Sequence, residues 1–180
     1  MTTTAITKIS DLLTERLRLR PITLDDVDLL VALDSDPEVM RFISGGEPTA
    51  RDETERIVRR SLDHRWVAHD RATDAFVGWF ALRPSGPETR ELGYRLARAF
   101  WRHGLASEGS HALIELAFTD LGARRVFAQT MTVNAGSRGV MERCGLRFVR
   151  TFVYEGHDPI DGSEDGDVEY EITKAEWERK

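Results

Sequence analysis

The chain has 180 residues, of which 41% are hydrophobic and 31% are charged, and its formal net charge is -6. This composition is typical of a single folded domain over residues 1–180. A mildly acidic chain is not expected to bind nucleic acid, for which a basic face would be needed. The single cysteine, Cys144, excludes an internal disulfide and argues against a cysteine-based metal site.

The N-terminal part of the chain predicts a strand and then a helix. Residues 1–13 lack the basic and apolar regions of a signal peptide, and no apolar run reaches the roughly 18 to 20 residues of a membrane helix. We therefore expect a cytoplasmic protein without membrane contact. Leucines alternate with arginines over Arg16–Arg20, which predicts a strand, and Pro21 ends it. Thr23 and Asp26 then have the spacing of a capping box, with Asp in place of the usual Glu.

The next region is predicted as a loop followed by a second helix. The Asp36–Pro37 dipeptide is expected to end the first helix, and Gly45–Gly46 indicates a flexible loop. Thr49 and Asp52 repeat the capping-box spacing. The helix behind them is mostly charged, so its outer face is expected to be solvated.

The middle of the chain changes from strand to helix periodicity. A hairpin is predicted from Arg65–His69 and the apolar run Ala75–Leu82, and a further strand over Glu91–Leu96. Apolar residues then recur at helical spacing over Ser110–Leu121, and Gly122 is well placed to end that helix.

The last third of the chain predicts three more strands. Arg125–Met131 is the first of them, and Asn134 is expected to cap a short helix. Phe148–Tyr154 and Val168–Thr173 follow, separated by the acidic loop Glu155–Asp167.

Together these elements predict a mixed α/β fold. The strand, helix and strand from Glu91 to Met131 should form a right-handed crossover between parallel strands. The remaining strands are expected to pair antiparallel, giving a mostly antiparallel sheet of six to seven strands with helices on both faces.

The segment Phe100–Glu108 is the most informative motif, because it joins a strand to a helix through small residues. Gly104 and Ala106 would let the backbone approach a ligand closely. The first N–H groups of the helix lack acceptors and favour an anion such as a pyrophosphate, to which Arg102 could add charge. The alternative is an ordinary tight turn that binds nothing. Neither the Gly-Lys-Ser/Thr ending of a P-loop nor a Gly-x-Gly-x-x-Gly fingerprint is present.

Four ordered motifs carry a family resemblance: Glu91-Leu92-Gly93-Tyr94; Phe100-Trp101 with Gly104 and Ala106-Ser107-Glu108; Asn134 with Ser137; and Glu142-Arg143-Cys144-Gly145-Leu146. In this order they are similar to the GNAT superfamily of N-acetyltransferases. The segments Thr14–Arg20 and Tyr170–Trp177 also resemble the branch that contains the ribosomal-protein N-terminal acetyltransferases. The resemblance covers nearly the whole chain.

The resemblance implies that acetyl-CoA is the co-substrate and that no metal is needed. Its thioester would lie in a gap where Glu91–Leu96 and Arg125–Met131 splay apart. The backbone of three strand residues would pair with the pantetheine arm, and Asn134 would bind it near the sulfur. The N–H groups of the turn would hold the pyrophosphate. The implied cofactor-binding residues are Tyr94, Arg95, Leu96, Trp101, Arg102, His103, Gly104, Leu105, Ala106, Ser107, Asn134 and Ser137.

Two side chains are candidates for catalysis. Glu91 is the candidate base, acting through a water molecule, although it could equally be an exposed strand carboxylate. Ser137 is the candidate for assisting the leaving thiolate; it could instead only satisfy a backbone N–H at the helix start. Many relatives have a tyrosine acid seven residues after the asparagine, where this chain has Met141. An oxyanion would need a backbone donor near Tyr94 or Leu96.

The other chemically suggestive residues favour structural roles. His111 and Glu115 have helical spacing, as do His157 and Asp161, but one pair offers too few ligands for a metal. Cys144 is expected in the core. Trp66 and Trp79 are assigned to packing on the sheet.

The sequence therefore predicts an N-acetyltransferase that moves an acetyl group onto a primary amine. The acceptor would enter between the Arg41–Gly46 and Glu155–Asp167 loops. By branch resemblance it is a peptide or protein N-terminus, while polyamines and aminoglycosides stay open. Two alternatives remain: a non-catalytic acyl-CoA sensor, which the missing tyrosine keeps open, and a plain α/β interaction domain. A homodimer is compatible with the sequence.

Overall fold

The computed structural model describes residues 10–153 and 160–179, which form a mixed sheet with helices on both faces. Within these residues the sheet has eight strands in the order β1-β2-β3-β4-β5-β6-β8-β7. Among the described strands only β5 and β6 pair parallel, and the other neighbours pair antiparallel. The strands are β1 (Leu12–Leu13), β2 (Leu17–Pro21), β3 (Arg65–Asp70), β4 (Phe76–Pro84), β5 (Thr89–Leu96), β6 (Arg125–Met131), β7 (Arg147–Phe152) and β8 (Asp167–Thr173).

Helices cover the sheet on two sides and divide the core in two. The α-helices are α1 (Val27–Asp34), α2 (Pro37–Ser44), α3 (Arg51–Arg60), α4 (Leu105–Thr119), α5 (Ala135–Arg143) and α6 (Lys174–Trp177). The larger core contains residues of α4 and α5 together with buried Trp66 and Phe80. The smaller core holds Val27 and Leu30 of α1 and Val58 of α3 against Val67 of the opposite sheet face. The predicted mixed α/β class is confirmed.

Most predicted elements are confirmed, including the parallel pairing of β5 with β6. The sheet has one strand more than the highest number predicted, because the two-residue β1 pairs with β2. Cys144 and Trp66 lie in the larger core, as expected. Two predictions extend beyond the described residues. These are the end of the Phe148–Tyr154 strand and residues 155–159 of the acidic loop. The rest of that loop contains a short 3-10 helix, Ser163–Asp165.

Two predictions about the helical region are wrong. The segment after Asp36 is not a loop but helix α2, because Asp36 accepts a hydrogen bond from the N–H of Glu38 and Pro37 occupies the first helical position. The second capping box does not form, because α3 begins one residue later than that spacing requires, with Ala50 as its N-cap. Asp52 instead forms an ion pair with Arg56 one turn along the helix. The capping box of Thr23 and Asp26 is present.

Helix α4 packs closely on the sheet at Gly109. A Cβ atom at this position would overlap the aromatic ring of Phe80, which is fully buried in β4. We expect Gly109→Ala to lower the free energy of unfolding by about 1–3 kcal/mol, because the ring or the helix must shift in a close-packed core. Urea unfolding followed by circular dichroism would measure the change.

The matched control for this variant is Gly139→Ala in α5. A Cβ atom there meets only the end of the Arg143 side chain, at 3.4 Å. That variant should be neutral or more stable by roughly 0.5–1 kcal/mol through helix propensity. Equal effects of the two substitutions would contradict the close packing of α4 on Phe80.

Candidate active site

The two parallel strands at the centre of the sheet separate partway along their length. Their pairing covers only Thr89–Glu91 of β5 and Arg125–Phe127 of β6. Beyond this point β5 stays paired with β4 as far as Leu96, and β6 stays paired with β8 as far as Met131. Each strand therefore keeps its outer partner while the inner edges part, and this opens a gap between them.

The direction of the β5 backbone groups determines which of them face this gap. The N–H of Ala97 donates to the carbonyl of Val77 at 2.9 Å, so this residue faces β4. Because alternate residues of an antiparallel strand point to opposite neighbours, Arg95 also faces β4, while Tyr94 and Leu96 face the gap. The Leu96 carbonyl already accepts from the indole of Trp101 at 2.7 Å. The N–H groups of Tyr94 and Leu96 are thus the backbone donors directed at the gap.

The turn after β5 has the backbone shape of an anion cradle. Arg102 and Gly104 have φ angles of 63° and 79°, in the left-handed region. Helix α4 starts directly after them, and its first backbone bond runs from Glu108 N–H to the Gly104 carbonyl at 3.0 Å. The N–H groups of Leu105–Ser107 therefore have no acceptor within the helix. These donors at the positive end of the helix dipole suit a pyrophosphate, so the turn fits the co-substrate that the motif implies.

A charged network ties this turn to the N-terminal strand. Glu108 accepts hydrogen bonds from the Thr14 hydroxyl at 2.6 Å and from the Arg16 N–H at 2.7 Å. Burial alone would raise the pKa of Glu108, but these hydrogen bonds hold it below its ordinary value. The Arg16 guanidinium donates to the His103 carbonyl at 2.8 Å. Arg16 thus places a cation beside the turn, although the sequence predicted it only as part of a strand and of the family resemblance.

The other predicted residues of the turn divide between exposed and anchored positions. Trp101, Arg102 and His103 are exposed. Leu105 and Ser107 are buried and fasten the start of α4 to the core, and Ala106 is half-buried. The Ser107 hydroxyl accepts from the Arg143 guanidinium of α5 at 3.1 Å, so the turn is braced from both sides. Arg95 belongs to β5 and not to the turn. Its guanidinium donates to Asp34 of α1 at 2.5 Å.

At the start of α5, the structure brings three predicted residues together. Asn134 caps the helix as predicted, accepting from the Ser137 N–H at 3.2 Å, and its amide donates to Thr130 at 3.0 Å. The Ser137 hydroxyl lies 3.0 Å from the hydroxyl of Tyr94 in β5. Burial raises the pKa of Tyr94 above its ordinary value, although the hydrogen bond with Ser137 opposes this. The phenol is therefore protonated at neutral pH, and its O–H also donates to the Ser137 carbonyl at 3.1 Å.

Sequence reasoning assigned only the backbone of Tyr94 to the site and therefore missed its hydroxyl. Tyr94 places a phenol next to Ser137, whereas Met141, at the position of the expected tyrosine, is buried in the core. The sequence holds no local signal for this contact, since the two residues are far apart in the chain.

Glu91 lies on the opposite face of the sheet from Ser137. Side chains alternate along a strand, so Glu91 shares a face with Arg95, while Tyr94 points to the face covered by α4 and α5. The Glu91 carboxylate accepts from the Arg83 Nε at 3.0 Å, and its side chain is 22% exposed. The two catalytic candidates thus flank the gap from its two sides.

A cleft lies where the acceptor was predicted to enter. It has a volume of about 320 Å³ and is lined by Arg41, Gly45, Ile160 and Asp161. The first two residues belong to α2 and its C-cap, and the other two to the described part of the predicted acidic loop. One side of the entrance is therefore helical, whereas the sequence had predicted a loop there.

Metal ligands and membrane helices were also sought in the described residues. Within residues 10–153 and 160–179, no three His, Cys, Asp or Glu side chains come together as metal ligands would. His111 of the first histidine pair contacts the Ser107 carbonyl at 2.9 Å, and His157 of the second pair lies outside the described residues. None of the helices in the described part of the chain has the length and apolarity to cross a membrane.

Comparison with known proteins identifies the family of the chain. Residues 16–147 match the family described as the acetyltransferase (GNAT) domain. The chain belongs to the GNAT family of N-acetyltransferases. It is 36% identical over 183 residues to the FsC-acetyl coenzyme A-N(2)-transacetylase of Aspergillus fumigatus, covering 92% of this chain and 77% of that protein.

Solved GNAT structures share the fold. The spermidine N-acetyltransferase of Vibrio cholerae, in complex with CoA and spermine, superposes with a TM-score of 0.77 at 18% identity and covers 90% of this chain and 98% of its own. RimL, a ribosomal L7/L12 alpha-N-protein acetyltransferase in complex with coenzyme A, gives 0.74 at 17% identity and covers 90% of this chain and 96% of its own. GNAT enzymes use acetyl-CoA, and this chain is an N-acetyltransferase.

Proposed function

We propose that the protein transfers the acetyl group of acetyl-CoA directly to a primary amine in the gap between β5 and β6. The observation that carries the proposal is the combination of this gap with the anion cradle that follows β5. The cradle would hold the pyrophosphate, and the unpaired edge of β5 would hold the pantetheine arm. Bound acetyl-CoA would supply a thioester carbonyl that an amine can attack.

The residues on the two faces of the gap suit the two needs of this reaction, deprotonation of the amine and departure of the thiolate. The amine must lose a proton to become a nucleophile, and Glu91 would accept it through a water molecule. The N–H groups of Tyr94 and Leu96 would stabilise the oxyanion. When the carbon–sulfur bond breaks, the Ser137 hydroxyl would donate a hydrogen bond to the leaving thiolate. Ser137 would itself be oriented by the Tyr94 hydroxyl at 3.0 Å.

The relatives differ in their acceptors, so the acceptor is a proposal of its own. One relative is named for transfer to an N(2) nitrogen, another for spermidine and a third for a protein α-amine. We propose an α-amine, either of a peptide or protein N-terminus or of a small molecule. With an ordinary pKa near 8, such an amine is neutral more often than a lysine amine, and the chemistry asks less of Glu91.

The test is a thiol-release assay with acetyl-CoA and a panel of amines: N-terminal peptides, amino acids, spermidine and an aminoglycoside. Turnover of at least one amine, with acetyl found on its nitrogen by mass spectrometry, would support the proposal. Thermal stabilisation by acetyl-CoA without turnover of any amine would favour the sensor alternative. No stabilisation at all would favour an interaction domain.

The pairing of Tyr94 with Ser137 predicts a non-additive double variant. Ser137→Ala should lower kcat about 10- to 100-fold, and Tyr94→Phe should lower it about 3- to 10-fold, because one charge-assisted hydrogen bond is weakened. If Tyr94 acts by orienting Ser137, the double variant should be no slower than Ser137→Ala alone. Steady-state kinetics on the best amine would measure all three.

Acetyl-CoA affinity is the control for these variants and should change less than about threefold. Fully multiplicative losses in kcat would contradict a shared role and assign the two hydroxyls to separate steps. Full activity of Ser137→Ala would remove both residues from the mechanism.

A further inference from the structure

Two arginines surround Trp79 on the sheet face that carries Glu91. The guanidinium carbon of Arg65 in β3 lies 4.2 Å from the centroid of the Trp79 ring, and that of Arg95 lies 5.3 Å from it. Arg95 also binds Asp34 of α1 at 2.5 Å. All four side chains are buried or half-buried. We call Arg65, Trp79 and Arg95 the arginine cluster.

The charges in this cluster do not balance. Asp34 is its one carboxylate and binds Arg95, whereas the side chain of Arg65 has no hydrogen-bond acceptor within residues 10–153 and 160–179. The Nε atoms of both arginines are buried and unpaired. Burial, and then the positive charge of Arg95, lower the pKa of Arg65 to about 10, while Asp34 opposes this. A half-buried guanidinium without an anion is costly, so the site favours binding of an anion.

The position of the arginine cluster ties it to the acceptor side of the reaction. Arg95 lies in the part of β5 that is unpaired with β6, and on the same face Gly93 separates it from Glu91. Arg95 itself therefore borders the gap, and Glu91, four residues back along the same face, is about 13 Å away along the strand. The anion cradle at the start of α4 belongs to the opposite face of the sheet. The cluster is therefore separate from the predicted pyrophosphate site.

We propose that the arginine cluster binds a carboxylate of the acceptor, which is then an amine bearing a carboxylate a few bonds from its nitrogen. Guanidinium groups match the planar geometry of a carboxylate and bind it with charge-assisted hydrogen bonds. Stacking on Trp79 holds Arg65 in place. The inference rests on the proposed function and narrows its acceptor to amino acids and their derivatives, against polyamines.

Matched amines test the carboxylate requirement. Phenylalanine is compared with phenylalaninamide and phenethylamine, and lysine with cadaverine, in the thiol-release assay. We expect kcat/KM for each amino acid to exceed that of its amide or decarboxylated analogue by about 10-fold or more. A difference of this size is what one hydrogen bond to a charged group provides. Equal or better turnover of phenethylamine and cadaverine would overturn the inference while leaving the proposed function intact.

Arg65→Gln tests the residue itself. This variant should raise KM for the carboxylate substrate about 10-fold or more, with kcat and the kinetics of the decarboxylated analogue nearly unchanged. The matched control is Arg124→Gln, which removes the same charge from a side chain that is 77% exposed and pairs with Glu88. Preserved carboxylate selectivity in Arg65→Gln would overturn the assignment.

A binding experiment separates this inference from the proposed function. N-acetyl-phenylalanine, the product analogue, is titrated in the presence of CoA and followed by thermal shift. We expect stabilisation of the unmodified protein and of Arg124→Gln but not of Arg65→Gln. Turnover without this difference would overturn the carboxylate site alone. Absence of turnover with the difference intact would overturn the transfer reaction and retain the site.

We expect Arg65→Gln to fold normally, because the substitution removes an unpaired charge. A change in its KM would therefore not reflect misfolding. The melting temperature of the free protein should stay the same or rise by roughly 2–4 °C. A fall of that size would contradict the unbalanced charge from which the proposal starts.

Discussion

A Gly104→Glu variant should lose acetyl-CoA affinity by about 100-fold or more while remaining folded. Gly104 has φ +79°, a conformation in which an L side chain is strained, and it is the N-cap residue of α4. The new carboxylate would stand among the N–H groups expected to hold the pyrophosphate and would repel it. Isothermal titration calorimetry with CoA measures the loss.

The other end of the same helix supplies the control. Gly122 has φ +65°, is exposed, and a Cβ atom there meets no atom within 4 Å. Gly122→Glu therefore adds the same charge at a similar backbone angle, about 22 Å away along α4. It should bind CoA as the unmodified protein does. If Gly104→Glu kept its affinity, or if both variants lost it equally, the assignment of the turn would be wrong.

Glu91→Gln should lower kcat by about 100- to 1000-fold with acetyl-CoA affinity unchanged. The amide keeps the shape of the side chain and its place opposite Arg83, but it cannot accept a proton. A merely structural role for Glu91 would not predict a loss of kcat with unchanged co-substrate affinity. Steady-state kinetics at saturating amine measure kcat, and calorimetry with CoA measures the affinity.

Glu88→Gln is the matched variant for Glu91. Glu88 pairs with Arg124 at 3.2 Å in the turn just before β5, and its side chain is 58% exposed. Removing this carboxylate should change kcat less than twofold, as expected of an exposed ion pair. A similar loss of kcat in Glu88→Gln would show that the loss of kcat in Glu91→Gln comes from general surface charge rather than from base catalysis.

The sequence predicted the elements whose periodicity is strong and failed where short-range signals compete. The strand β6 and the Asn134 cap lie where they were expected. Helix α2 was missed because Asp36–Pro37 reads equally as a break and as a helix start, and only the N-cap bond to Glu38 decides between them. The Thr49 box failed because spacing alone does not determine where a helix begins.

The candidate site was predictable where it depends on consecutive residues. The turn at Gly104 needs only a strand, small residues and a helix start, all adjacent in the chain. The contact of Tyr94 with Ser137 and the arginine cluster join residues that are distant in the sequence. Their meeting depends on strand register, and a shift of one residue would reverse every face. The pattern of a strand shows which of its residues share a face, but not which residues of a distant element they meet.

The strand order β6-β8-β7 has a consequence for synthesis on the ribosome. β7 precedes β8 in the chain, yet it pairs with β8, whereas β6 accepts β8 as its neighbour. The edge of β6 therefore stays uncovered until β8 has left the exit tunnel. The buried side chains of β8, Val168, Tyr170 and Ile172, complete the core only then. Until then β7 has no partner strand, so this end of the sheet closes in one late step that a nascent-chain protease assay could time.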